Sequence, residues 1–117
     1  MRTMTDKTAQ RESIQRLHSA IENDEFRLYY QPKVNLTNGE IIGAEALIRW
    51  QHPVLGVLSP AMFLPQVEGS TVEYPLGQWV ISAALKMAYQ WAQENTPVKV
   101  SVNVSANQLT HPDFLNE

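Results

Sequence analysis

The chain has no cysteine, no long apolar run and no excess of basic residues. Without cysteine there is no disulfide framework, no thiolate metal site and no cysteine nucleophile, and a reducing compartment is permitted. No apolar run approaches the length of about 20 residues that a membrane helix needs, and residues 1–10 lack the apolar core of a signal peptide. The net charge of −3 gives no basic footprint for duplex nucleic acid. These absences predict a cytoplasmic protein, whose membrane tether, if it has one, lies outside this chain.

The composition is that of one ordinary globular domain. The 117 residues are 44% hydrophobic and 18% charged, which is typical of a soluble protein with a packed core. No internal repeat, low-complexity tract or linker-like segment interrupts the chain. We therefore expect a single compact unit.

The N-terminal half predicts a helix followed by a β-hairpin. Apolar residues at spacings of three and four predict a helix over 8–23. Residues 26–36 are rich in aromatic and β-branched side chains, and the turn residues 37–39 connect them to a second strand over 40–50. The two strands are therefore expected to be antiparallel neighbours.

The second half predicts a strand, helix and strand in succession. Residues 51–57 are loop-like, and 59–68 predict a short helix that is broken at Pro65. Apolar residues at helical spacing predict a long helix over 76–93, and alternating valines over 98–105 predict a further strand. A strand, a long helical crossover and a strand in that order build a parallel sheet.

The strand over 40–50 has one apolar and one polar face. Period-2 alternation places Glu45, Leu47 and Arg49 on one face; the opposite face carries Ala44, Ala46, Ile48 and Trp50. Gln31 and Asn103 also lie on the polar sides of their strands. A polar inner face is typical of a βα-barrel lumen, where active sites lie at the C-terminal ends of the parallel strands. Since such barrels need roughly 250 residues, we expect less than half of one here.

Taken singly, the same residues fit ordinary structural roles. Glu45 alone is more often a solvated or ion-paired carboxylate, Arg49 a surface cation and Asn103 an edge-strand amide. Their functional interpretation therefore depends on the motifs around them.

Four segments in order carry a resemblance to one family. The segments are Tyr29-Tyr30-Gln31-Pro32, Glu45-Ala46-Leu47-Ile48-Arg49-Trp50, Pro75-Leu76-Gly77 and Ser101-Val102-Asn103-Val104-Ser105. In this order they closely resemble the first part of EAL domains, which are bacterial phosphodiesterases of cyclic di-GMP. The resemblance runs from about residue 26 to the end, which divides the chain into a helical lead-in over 1–25 and a partial EAL domain over 26–117. It implies an α/β fold, the N-terminal portion of a TIM-like (β/α)₈ barrel with an antiparallel first strand.

The resemblance also implies a reaction and a set of site residues. EAL domains cut one phosphodiester bond of cyclic di-GMP to give linear pGpG in second-messenger signalling, using two divalent cations, magnesium or manganese. By motif matching, Glu45 and Asn103 are the expected catalytic metal ligands, and Gln31, Leu47 and Arg49 the expected substrate-binding residues. These roles suit the residue types, because carboxylate and amide oxygens are hard ligands and a guanidinium forks onto phosphate.

Two interpretations of the chain remain open. The family's later motifs, including the catalytic lysine and further acidic ligands, have no counterpart here, so we expect the chain to be inactive alone. It is then either part of a longer enzyme, with a fused sensor or diguanylate cyclase domain, or a non-catalytic EAL-derived module that binds cyclic di-GMP or a partner protein. The unpaired edges of a partial barrel also predict a homo-oligomer.

Overall fold

The computed structural model describes residues 4–95 and 98–102. Along the chain the elements are α1 (Met4–Glu22), β1 (Phe26–Val34), β2 (Ile41–His52), β3 (Gly56–Leu58), a 3₁₀ turn (Pro60–Met62), α2 (Leu64–Val67), α3 (Glu73–Gln93) and β4 (Val100–Ser101). The predicted hairpin and the predicted long helix are both present. The valine strand predicted over 98–105 is described as far as residue 102.

β2 is the central strand of the sheet. β1 pairs with one edge of β2 in antiparallel register, from Phe26 opposite Trp50 to Lys33 opposite Gly43. Two strands pair with the other edge of β2. β3 pairs with its C-terminal end in antiparallel register, and β4 pairs in parallel nearer its N-terminal end, with Ser101 opposite Glu45. The unit β2–α3–β4 is therefore the parallel crossover that the sequence predicts.

Side chains of the turn residues close the β1–β2 hairpin. The Thr37 backbone N–H donates to Oδ1 of Asn35, and the Glu40 N–H donates to Oδ1 of Asn38, at 2.8 and 3.0 Å. Gly39 takes a φ of +72°, a conformation that costs glycine little. β1 ends at Val34, two residues before the predicted end, because Asn35 and Leu36 already belong to this turn.

The loop predicted over 51–57 was wrong in part, since β2 continues to His52 and β3 begins at Gly56. The tight turn between them is built by His52, whose Nδ1 accepts the backbone N–H groups of Val54 and Leu55, both at 3.1 Å. Gly56 follows with a φ of +81°. A three-residue strand is too short to produce an alternation that can be recognised in the sequence.

The helix predicted over 59–68 forms as two short pieces, and the break lies at Phe63 rather than at Pro65. Phe63 has φ −137° and ψ −28° between the 3₁₀ turn and α2. Pro65 lies in the first turn of α2, where its missing N–H removes no helical hydrogen bond. The break lets the Phe63 side chain turn into the core, where it is 1% exposed.

The core is an aromatic cluster between the apolar face of the hairpin and the helices. The Phe26 ring lies 5.6 Å from both the Trp50 and the Phe63 ring centroids, and α1 adds Leu17 and Ala20. The other buried members are Val67, Val72 and Leu76. The C-terminal half of α1 is therefore an integral part of the core.

A polar group joins α1 to the aromatic core. Oε1 of Glu25 accepts hydrogen bonds from Nη2 of Arg16 at 2.8 Å and from Nε1 of Trp50 at 2.9 Å. The Arg16 guanidinium also stacks on the Trp50 ring, 5.4 Å from its centroid. Burial raises the pKa of Glu25, but these hydrogen bonds and the charge of Arg16 outweigh it, so the pKa is lower than usual.

We expect Glu25→Gln to lower the free energy of unfolding near pH 7 by about 1–2 kcal/mol, because charge-assisted hydrogen bonds are weakened. A lowered pKa in the folded state stabilises the protein above the pKa of the unfolded state, and this contribution disappears as the pH falls through the folded-state value. Urea unfolding at neutral and acidic pH tests this, with the exposed Glu22→Gln as control. An equal deficit at both pH values would contradict the expectation.

Gly43 permits the close approach of β4 to β2. A Cβ atom there would lie 2.8 Å from the carbonyl oxygen of Lys99. That same oxygen accepts the Ala44 backbone N–H at 2.9 Å. Any larger residue must therefore push the β4 backbone away from the sheet.

We expect Gly43→Ala to destabilise the fold by about 1–3 kcal/mol, since overpacking against backbone cannot be relieved by a side-chain rotation. The effect should be local, and amide exchange of Ala44 should accelerate because its bond to Lys99 is lost. Ile42→Ala, at the exposed neighbouring position of β2, serves as control and should leave that amide protected. An unchanged Ala44 exchange rate in Gly43→Ala would refute the steric argument.

Candidate functional site

The outward side of the hairpin is a continuous polar face. We define this polar face as Arg27, Tyr29, Gln31 and Lys33 of β1, Glu45, Leu47 and Arg49 of β2, and Ser101 of β4. The register places Gln31 opposite Glu45 on one side and Ser101 opposite Glu45 on the other. These three residues thus form one row across three strands. The apolar core covers the opposite side of the hairpin.

Glu45 is half-buried in the middle of this row. Within residues 4–95 and 98–102, no hydrogen bond or ion pair engages its carboxylate. Next to it, Nζ of Lys33 reaches across β2 at the level of Gly43 and donates to Oγ of Ser101 at 3.1 Å. The Glu45 carboxylate is therefore accessible to a ligand.

The oxygen donors of this row suit a hard divalent cation. Glu45 offers a carboxylate, Gln31 an amide oxygen and Ser101 a hydroxyl, which are ligand types that magnesium and manganese accept. In the part of the chain that the structure describes, no group of three acidic or histidine side chains converges to hold a metal ion. The row thus fits one side of a metal site. The other predicted ligand, Asn103, lies outside the described residues.

Arg49 lies at the far end of the polar face and is held in place by its neighbours. Its Nη1 donates to the carbonyl oxygen of Ile48 at 2.8 Å, and its guanidinium carbon lies 5.6 Å from the ring centroid of Tyr29. This distance is within the range of a cation–π interaction. Tyr29 itself pairs with Leu47 across the hairpin. The end of the face therefore combines a cation, an aromatic ring and an aliphatic wall.

The Glu45 carboxylate and the Arg49 guanidinium lie at two separate positions along β2, here called the two levels of the polar face. Glu45 and Arg49 are four residues apart on β2, which corresponds to about 13 Å along an extended strand. Gln31 lies at the level of Glu45, and Leu47 lies between the two levels. A ligand with one group at the carboxylate and an anionic group at the guanidinium would span this distance.

Four of the five predicted site residues lie together on this face. They are Gln31 on β1 and Glu45, Leu47 and Arg49 on β2, the two strands of one hairpin. Sequence reasoning missed Arg27, Tyr29 and Lys33. Alternation along β1, the same signal that identified the polar side of β2, places these three beside Gln31.

A groove on the helical side of the protein is separate from the polar face. It is an open depression of about 1070 Å³ between α1 and residues 65–71. His18 lies in it, with Nε2 within 3.0 Å of Oγ1 of Thr71. No residue of the polar face lines this groove.

The family model described as "EAL domain" matches residues 14–117. The chain belongs to the EAL domain family. Cyclic di-GMP phosphodiesterase PA2567 of Pseudomonas aeruginosa is 43% identical over 102 residues, which cover 86% of this chain and 17% of that protein. The family-model match begins at residue 14, within α1, consistent with the packing of that helix on the core.

Solved EAL structures align with most of the chain. EAL enzyme Bd1971, in its form bound to cAMP and cyclic-di-GMP, is 36% identical with a TM-score of 0.81 and covers 94% of this chain and 32% of its own. PaMucR phosphodiesterase in complex with c-di-GMP is 35% identical with a TM-score of 0.79, over 90% and 43% of the two chains. The chain thus spans less than half of these relatives. The predicted fold, the N-terminal portion of a TIM-like barrel with an antiparallel first strand, is confirmed.

The helices of the described residues include none with the length and apolar character that crossing a bilayer requires.

We expect Tyr29→Leu to release the Arg49 guanidinium, because the ring contributes about 0.5–1 kcal/mol at an exposed site. NMR relaxation of the Arg49 Nε group should report faster side-chain motion in this variant. Tyr29→Phe keeps the ring and removes only the hydroxyl, so it should behave like the wild type. Equal Arg49 dynamics in all three proteins would rule out a role for the ring.

Proposed function

We propose that this protein hydrolyses cyclic di-GMP to linear pGpG with divalent cations, with Glu45 and Asn103 as catalytic metal ligands. The observation that carries the proposal is the accessible Glu45 carboxylate beside Gln31, with Leu47 and Arg49 farther along the same face. Similar proteins that are named as cyclic di-GMP phosphodiesterases, or solved with cyclic di-GMP, support the choice of substrate.

Glu45 is suited to ligate a metal because no ion pair in the described structure has to be broken first. Asn103 follows Ser101 by two residues, and period-2 alternation assigns it to the same side of the strand. When bound, two magnesium or manganese ions would lower the pKa of a water molecule and neutralise a phosphate oxygen. The protein's own part is to present the Glu45 carboxylate on the polar face, beside Gln31.

The remaining predicted residues are suited to bind the substrate. The Arg49 guanidinium offers several N–H donors to phosphate oxygens, and only Nη1 is engaged by the Ile48 carbonyl in the described structure. Leu47 provides an aliphatic surface for a base or ribose. The Gln31 amide, exposed beside Glu45, can both donate and accept hydrogen bonds.

The proposal also includes a setting for the chain. We place it in the cytoplasm, where its substrate acts, with a sensor or diguanylate cyclase domain in the same polypeptide. Association with a second copy is a further part of the proposal. It is supported by exposed apolar side chains that lie together at the turn end of the hairpin, Val34, Leu36 and Ile41, of which Val34 and Ile41 pair across the two strands.

We expect Glu45→Gln to reduce hydrolysis by at least about a hundredfold, because even the outer-shell partners of metal ligands are worth 10–100-fold. Cyclic di-GMP is incubated with the full-length protein and magnesium or manganese, and pGpG is measured by chromatography. Glu40→Gln, an exposed carboxylate just before β2, is the matched control, and a chelator tests the metal requirement. Normal turnover by Glu45→Gln would refute the assignment of Glu45.

The hydrolysis assay and a calorimetric titration together separate the enzyme from the alternative, a non-catalytic EAL-derived module. Calorimetric titration that detects cyclic di-GMP binding by the wild type, without any product, would favour a binding module. The absence of both binding and product would leave protein interaction as the function.

A further inference from the structure

Arg27 lies directly opposite Arg49 across the hairpin. Cβ atoms of such cross-strand pairs are about 4.5–5.5 Å apart, and two like charges at these positions destabilise the sheet. Both side chains belong to the polar face, and the Arg27 side chain is 44% exposed. The fold therefore accepts an unfavourable charge pair at the end of the face where the substrate phosphate is proposed to bind.

Nearby carboxylates do not neutralise the pair. Asp24 approaches Arg27 only loosely, at 3.7 Å, and its own side chain is 76% exposed. Glu25 is turned to the other side, where it binds Arg16 and Trp50. Among the described residues, no carboxylate forms an ion pair with Arg49. Two arginine side chains thus extend from opposite strand positions at one end of the face, with little compensating negative charge.

Main-chain carbonyls hold both guanidinium groups by a single nitrogen. Nη1 of Arg27 donates to the carbonyl oxygens of Asp24 and Phe26, at 2.6 and 2.7 Å. Arg49 repeats the pattern with Ile48, the residue before it. In the described structure the other nitrogen atoms of each guanidinium have no hydrogen-bond partner. They are free to donate to an external anion.

We propose that Arg27 is a second anion-binding residue of the polar face, which acts with Arg49 on the same phosphate-bearing ligand. The inference rests on the proposed function, because it assigns Arg27 to the phosphate that Arg49 contacts. An anion between the two guanidinium groups converts their repulsion into two charge-assisted interactions. The charge pair that weakens the empty protein therefore strengthens the complex.

The test compares Arg27→Gln, Arg49→Gln and the control Arg11→Gln, an exposed arginine on α1. Binding of cyclic di-GMP is measured by calorimetry at several salt concentrations, and binding of pyrophosphate by NMR titration. We expect Arg27→Gln to weaken cyclic di-GMP binding by about tenfold and to reduce its salt dependence. Arg11→Gln should change neither property.

The outcomes separate this inference from the proposed function. If Arg49→Gln loses affinity and Arg27→Gln does not, the role of Arg27 is refuted and the proposed function stands. A loss of equal size in Arg11→Gln would also refute it, because the effect would then reflect net charge. If the wild type does not bind cyclic di-GMP, the proposed function fails, and the pyrophosphate titration then tests the role of Arg27 by itself. Pyrophosphate binding that requires both arginines supports this role. Pyrophosphate binding that is unaffected by Arg27→Gln overturns it.

Discussion

The antiparallel register between β1 and β2 determines which side chains enter the core and which form the polar face. Side chains of a strand alternate between its two faces, so a shift of one residue would turn Glu45 and Arg49 into the core and expose Trp50. In the observed register, Phe26 and Trp50 meet on the apolar side and Gln31 and Glu45 on the polar side. One pairing therefore builds the core and the candidate site together.

Burial alone does not hold this register, because a polar anchor reinforces it at the open end of the hairpin. Glu25 connects Arg16 of α1 to the Trp50 indole, and its backbone carbonyl accepts the Gln51 N–H at 2.8 Å. These bonds tie the end of α1, the start of β1 and the end of β2 to one another. Since Arg49 immediately precedes Trp50, the packing of α1 also fixes the cationic end of the polar face.

The two sides of the hairpin show a division between stability and chemistry. On the inner side, Phe26 and Trp50 are almost fully buried and make favourable aromatic contacts. On the outer side lie two opposed arginines and the Glu45 carboxylate, which forms no ion pair within the described part of the chain, so this side contributes little to folding. Such arrangements persist where surrounding structure supplies the stability and a ligand supplies the missing partner.

Local sequence patterns are sufficient to predict the hairpin, the long helix, the parallel crossover and the side of β2 that carries Glu45, Leu47 and Arg49. These features follow from alternation, helical spacing and turn residues, which are local properties. Other features depend on distant partners and become visible only in the folded chain: β3, which needs β2 beside it; the break at Phe63, whose ring packs in the core; and the close pairing of β4 beside Gly43. The fold also places Arg27 opposite Arg49 and the Tyr29 ring against the Arg49 guanidinium. Those contacts join residues far apart in the chain, and the pairing register that brings them together is set by the packing of the whole core.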